Sequence, residues 1–178
     1  MAPIDNLKAK GSEVSIHARA ALNFIDAVNE AITFPSGNQY TRLHDIMVSD
    51  AKIESAPSSL KAAPEQSLIN TLGEQLNTLE GMKGLFKDLG VMVEKVVDGG
   101  KETVMFGHAI GQAHSGLEFK DDRVILVQTT DSENDVTTSD AQGSDETRAG
   151  LPRIVYVKEF VDSAYLKSFL GTVMGGPN

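Results

Sequence analysis

The chain has 178 residues, a net charge of −9, 40% hydrophobic residues and 23% charged residues. That length suits one ordinary domain with a sizeable core, and the acidic surplus argues against a nucleic-acid backbone as partner. Cysteine is absent, which excludes disulfides, thiolate metal sites and cysteine nucleophiles, and fits a cytoplasmic protein. The sequence has no apolar run long enough for a membrane span and no apolar stretch behind Met1 that would read as a secretory leader.

Residues 13–33 place Val14, Ala18, Ala21, Leu22, Ile25, Val28 and Ile32 at helical spacing, with Ser12 as the expected cap and Pro35-Ser36-Gly37 as the stop. A short second helix is expected from Tyr40 to Met47, with Leu43 and Met47 on its core face. Ala51 to Ala56 alternates and predicts a short strand. A third helix is expected to start near Pro64, carry Leu68, Leu72, Leu76, Leu79, Met82 and Phe86 as its stripe, and stop at Gly90.

Beyond Gly90 the apolar period changes from 3.6 to 2. Four strands are expected, at 91–97, 102–114, 123–130 and 153–161, with Asp98-Gly99-Gly100 as the turn between the first two. A last helix is expected over 164–173. Between the third and fourth of these strands lies DSENDVTTSDAQGSDETRAG, residues 131–150, with six acids, one base and Val136 as its single large aliphatic residue. Such a stretch cannot bury enough apolar surface to offset its ordering entropy, so it reads as a disordered insertion. Helices first and antiparallel strands later predict one α+β domain over 1–178, with helices on one face of the sheet.

Two segments carry a family resemblance. One is Val48-Ser-Asp-Ala-Lys-Ile-Glu-Ser-Ala-Pro57, similar to a helix-to-first-strand passage. The other is Ile154-Val-Tyr-Val-Lys-Glu-Phe-Val-Asp-Ser-Ala-Tyr-Leu-Lys-Ser-Phe169. In these the chain resembles the nuclear transport factor 2-like superfamily, also called SnoaL-like, and within it the small fungal members found beside secondary-metabolite genes. The resemblance implies a cone of three N-terminal helices on a curved, mostly antiparallel sheet, plus a short C-terminal helix, around an internal pocket. It implies a cofactor-independent isomerase or cyclase of apolar polyketide or terpenoid intermediates, with a dehydratase, a hydrolase or a non-enzymatic binding module as rivals. A homodimer is expected through apolar residues on the outer sheet face, either Val91, Val93 and Ile125 or their neighbours.

The sequence lacks a P-loop, GxGxxG, HExxH and GxSxG, which leaves acid–base chemistry by pocket side chains. His108 shares one strand face with Phe106 and Gln112; on the concave face it could titrate near neutrality and move a proton. Glu159 and Asp162 end the last strand on opposite faces, and Asp162 is also placed to cap the final helix. His44, after Arg42, lies on the second helix. Glu54 lies in the first strand, where ketosteroid isomerases carry an aspartate base in Val-Glu-Asp-Pro. Here Ile53-Glu54-Ser55-Ala56-Pro57 puts Ser55 at that position, so the steroid mechanism does not carry over. The candidate catalytic residues are therefore His108, Asp162, Glu159, His44 and Glu54. The candidate substrate contacts are Arg42, Phe106, Gln112, Tyr156, Met47 and Phe24. His108 and His114 lie too far apart along one strand to share an ion, so no metal is expected.

Overall fold

The computed structural model describes residues 14–33, 40–57, 68–131 and 150–175. The expected cap at Ser12, the stop at Pro35-Ser36-Gly37, the start at Pro64 and most of the acidic stretch lie outside the described residues.

Helix α1 (Ile16–Thr33) opens with the Ser15 hydroxyl accepting from the Ala18 amide at 3.2 Å. Its inner face is built largely from alanines: Ala18, Ala21, Ala27 and Ala31 are fully buried, and Leu22 and Ile25 lie between them at 1% exposure. Small side chains let the helix axis come close to the sheet, while each buried Leu or Ile adds about 1.5–3 kcal/mol. Helix α2 (Thr41–Ile46) buries Leu43 and Ile46 and runs directly into strand β1 (Met47–Ala56).

The third helix differs from its sequence reading. A three-residue strand, β2 (Ile69–Thr71), precedes it, and helix α3 covers Leu72–Leu85. Thr71 is the reason. Its hydroxyl accepts from the Glu74 amide while the Glu74 carboxylate accepts from the Thr71 amide, a reciprocal cap that fixes the start. Among the described residues two helices thus precede the sheet, and the third follows β1 and β2. Leu72 and Leu79 are buried, with Leu76 and Met82 packed against the same core.

The helix also ends earlier than Gly90. Strand β3 (Phe86–Gly99) has already begun there, because Phe86 pairs with Ala113 and packs in an aromatic cluster. Phe86, Phe119 and Phe169 have ring centroids 4.8–5.5 Å apart, and Tyr165 stacks on Phe119 at 5.7 Å. Strands β4 (Glu102–Ala113), β5 (Glu118–Thr129) and β6 (Ile154–Val161) follow, then helix α4 (Ser163–Gly175), which brings Tyr165 and Phe169 to that cluster.

Among the described residues the sheet has six strands in the order β2-β1-β6-β5-β4-β3. Every pairing is antiparallel except β1 with β6. The β3–β4 turn is the expected one: Gly99 pairs with Glu102, and Gly100 adopts φ 76°, a conformation glycine reaches without strain. The register of β3 against β4 slips between Phe86 and Asp88 and again between Val93 and Lys95. Gly107 and Gly111 make this possible. A Cβ on Gly107 would sit 1.9 Å from the Met92 carbonyl oxygen, and one on Gly111 would sit 2.3 Å from that of Asp88. Bulges over glycines bend the long strands, so the sheet curls around α1.

Candidate active site

The hollow side of the sheet and the two longer N-terminal helices enclose a cavity of about 60 Å³. From α1 come Phe24, Ile25, Val28 and Ile32; from α3 come Gln75, Leu79 and Met82. The sheet supplies Ile53, Leu89, Val91, Ala109, Ile125 and Val157, together with Arg123 and Glu159. An otherwise apolar chamber therefore carries one amide and one ion pair.

Strand alternation puts that pair there. Ile125 and Val127 of β5 face the core at 5% and 0% exposure, so Arg123 and Asp121 share their face. Ile125 pairs with Glu159 across β5–β6, which brings Glu159 beside Arg123. The Arg123 guanidinium donates from Nη1 to the Glu159 carboxylate, while its Nε lies 3.4 Å from Oδ2 of Asp121. Asp121 is 1% exposed. Its Oδ1 accepts from the Asp162 amide at 3.2 Å, and its Oδ2 has no hydrogen-bond partner among the described residues. Burial, above all, pushes the Asp121 carboxyl up from the usual range; the Arg123 charge and the Asp162 amide pull against it, and Glu159 and Asp162 add to the rise.

Of the residues singled out in the sequence, Glu159 and Phe24 line the cavity. Asp162 does not line it. Its side chain caps α4, accepting from the Ala164 and Tyr165 amides at 3.0 Å each. Met47 is fully buried in the main core, and Arg42 ties α2 to α1 by donating to Glu30 and Asn23. His44 is exposed.

The remaining candidates lie on the outer face of the sheet, away from the cavity. His108 bridges two strands there, with Nε2 2.7 Å from Glu94 and Nδ1 3.0 Å from Asp122. Phe106 is 39% exposed under Lys95, and Gln112 reaches the Gly116 carbonyl at 3.4 Å. Glu54 binds Lys158 at 2.8 Å and accepts from the Tyr156 hydroxyl. Lys158, then Tyr156, hold the Glu54 carboxyl below its usual range. Burial, then Glu54, push the Tyr156 hydroxyl up to about 12.

Arg123, Asp121 and Gln75 were absent from the sequence reading. For the first two the signal was present in Asp121-Asp122-Arg123-Val124-Ile125-Leu126-Val127, where the charged odd positions continue the buried odd positions. For Gln75, inside a helix of alternating polar and apolar turns, nothing in the sequence marks it.

Among the described residues, no cluster of three or more His, Asp or Glu side chains could hold a metal ion, and no helix is long and apolar enough to cross a membrane.

No family model matches the chain. A phosphopentomutase of Mycoplasmopsis pulmonis (strain UAB CTIP) is 38% identical over 81 residues, 46% of this chain, and the match spans 19% of that protein's length. Solved structures match along nearly the whole chain. BvnE, a pinacolase from Penicillium brevicompactum, superposes with a TM-score of 0.62 at 13% identity, covering 93% of this chain and 97% of BvnE. AusH from Aspergillus nidulans gives 0.54 at 17% identity, covering 82% and 84%. A Shewanella putrefaciens CN-32 protein, named for its likeness to SnoaL-like polyketide cyclases, gives 0.62 at 13% identity, covering 96% and 95%. The fold is thus the nuclear transport factor 2-like, SnoaL-like one, as the sequence resemblance implied.

Proposed function

We propose that the protein is a cofactor-independent isomerase or cyclase of an uncharged, apolar carbonyl compound of the polyketide or terpenoid kind. The observation that carries this is the Glu159–Arg123 pair set into an otherwise apolar cavity. Glu159 acts as the base that removes a proton alpha to a carbonyl and returns it elsewhere. Arg123 steadies the negative charge that then develops on oxygen, and the Gln75 amide across the cavity orients that oxygen. Because the guanidinium already balances a carboxylate, a neutral substrate suits the chamber better than an anion. Pockets for drug-sized ligands span roughly 300–1,000 Å³, so entry requires apolar wall side chains such as Met82 and Leu89 to swing aside.

Exchange of alpha protons for deuterium tests this reading. A panel of β-diketones and terpenoid ketones is incubated with the protein in heavy water and followed by mass spectrometry. Exchange that falls about 100-fold or more in Glu159→Gln is expected. Exchange equally fast in the variant would overturn it. Gain or loss of water in the product would assign a hydrolase or dehydratase instead.

The small size of the cavity favours a second reading, a non-enzymatic binding module, which inertness across the panel would support. In either case the outer sheet face is read as the contact of a homodimer. Phe106, Val124 and Phe160 form one cross-strand row on it, and Met92, Ile110 and Phe160 are 36–48% exposed. A cytoplasmic location is part of the same reading.

A further inference from the structure

Two carboxyl groups and one guanidinium meet in a place that water hardly reaches. The Arg123, Asp121 and Glu159 side chains are 9%, 0% and 20% exposed. With both carboxyls ionised the trio would hold one net negative charge against apolar walls, and an uncompensated buried charge is costly. The two acids are not equivalent. Glu159 takes the direct Arg123 hydrogen bond and faces the cavity. Asp121 lies behind the guanidinium, one of its oxygens satisfied by the Asp162 amide; among the described residues the other oxygen and the Arg123 Nε 3.4 Å away make no hydrogen bond.

We propose that Asp121 keeps a proton at neutral pH and serves as a positioning residue for Glu159. Neutral Asp121 leaves the guanidinium charge to Glu159, makes the trio electroneutral, and presents Glu159 as the ionised base. The inference rests on the functional reading above, since it deepens the role given to Glu159. The groups that set Asp121 come from three places: Arg123 on its own strand, Glu159 on β6, and Asp162 at the β6–α4 junction. Burial, above all, pushes the Asp121 carboxyl up from the usual range against the Arg123 charge and the Asp162 amide, and the two acids add to the rise. The full burial of Asp121 and the net charge of the trio carry the inference.

The assay needs no substrate, so its outcome is separate from that of the exchange experiment. The protein is labelled with carbon-13 at the aspartate side-chain carboxyls, and its resonances are followed from pH 3 to pH 9. Asp121→Asn identifies the Asp121 signal and, being close in shape, serves as the folding control. The expected result is one aspartate signal that stays at its protonated position after the exposed aspartates have finished titrating. In Glu159→Gln its transition moves to lower pH, because the guanidinium charge becomes free to stabilise ionised Asp121. An infrared carbonyl band of a protonated carboxyl at neutral pH, lost in Asp121→Asn, is the second readout. An Asp121 signal that titrates together with the exposed aspartates would overturn the proposal, as would one that Glu159→Gln leaves in place. A merely structural Asp121 predicts neither the late titration nor its response to Glu159.

Discussion

Replacing Arg123 by Met removes the cation that this trio shares and keeps a side chain of similar reach. Its magnitude follows from the geometry. At an effective dielectric near 20, the guanidinium–carboxylate contact with Glu159 amounts to about 4 kcal/mol before desolvation. The variant recovers the cost of burying the guanidinium, and Glu159 keeps a fifth of its exposure, so the net loss is smaller, about 3 kcal/mol. In a chain of this length that lowers the melting temperature by about 6–12 °C. The sign with pH is fixed as well. A carboxylate stripped of its cation in an apolar site binds its proton more tightly folded than unfolded. Its stabilising contribution is then complete below the unfolded value and is lost as pH rises through the folded one. Urea unfolding of wild type and Arg123→Met at pH 4 and pH 7.5 reads this directly. The deficit should be small at pH 4 and full at pH 7.5. A deficit below about 1 kcal/mol at pH 7.5, or one equal at both values, would show that the three groups do not form one electrostatic unit.

Two further outcomes are expected. Asn29 closes the exposed edge of β3, donating to the Val91 carbonyl at 2.9 Å and accepting from its amide at 2.7 Å; Asn29→Ala should cost about 1–3 kcal/mol in urea unfolding and speed hydrogen exchange at the Val91 amide. Phe160→Lys puts a charge into the outer apolar row; on the homodimer reading, sedimentation should report two chains for the wild type and one for the variant.

Much of the fold was legible because strong local signals agree with it. Asp98-Gly99-Gly100 announces a hairpin, and α1 carries an uninterrupted apolar face. The start of α3 was misread because Pro64 is a generic opening signal, whereas Thr71 and Glu74 make the reciprocal cap that decides it. β2 has three residues and owes its existence to pairing with β1, so nothing local encodes it. The site was less legible for a related reason. Period two groups Phe106, His108 and Ile110 on one face but does not say which face is hollow. Both faces of this sheet are rich in apolar residues, as the exposure of Phe106 at 39% and Ile110 at 36% shows. Glu159 could be assigned to the cavity only through its register with Ile125, a long-range fact.

The parallel pairing of β1 with β6 has a consequence for how the chain assembles. Glu54 and Tyr156, joined across β1 and β6, are 102 residues apart in sequence. Closing a loop of about a hundred residues costs about 4 kcal/mol of chain entropy. Strands β3, β4 and β5 close only short loops, so they can zip up as soon as they leave the ribosome. β1 leaves first, yet its central partner is made almost last. Until β6 arrives, β1 pairs, among the described residues, with the three residues of β2 alone, and the chamber lacks the wall that bears Glu159. The order of synthesis is therefore not the order of assembly, and β6, the last of the described strands to be translated, completes both the sheet and the cavity wall.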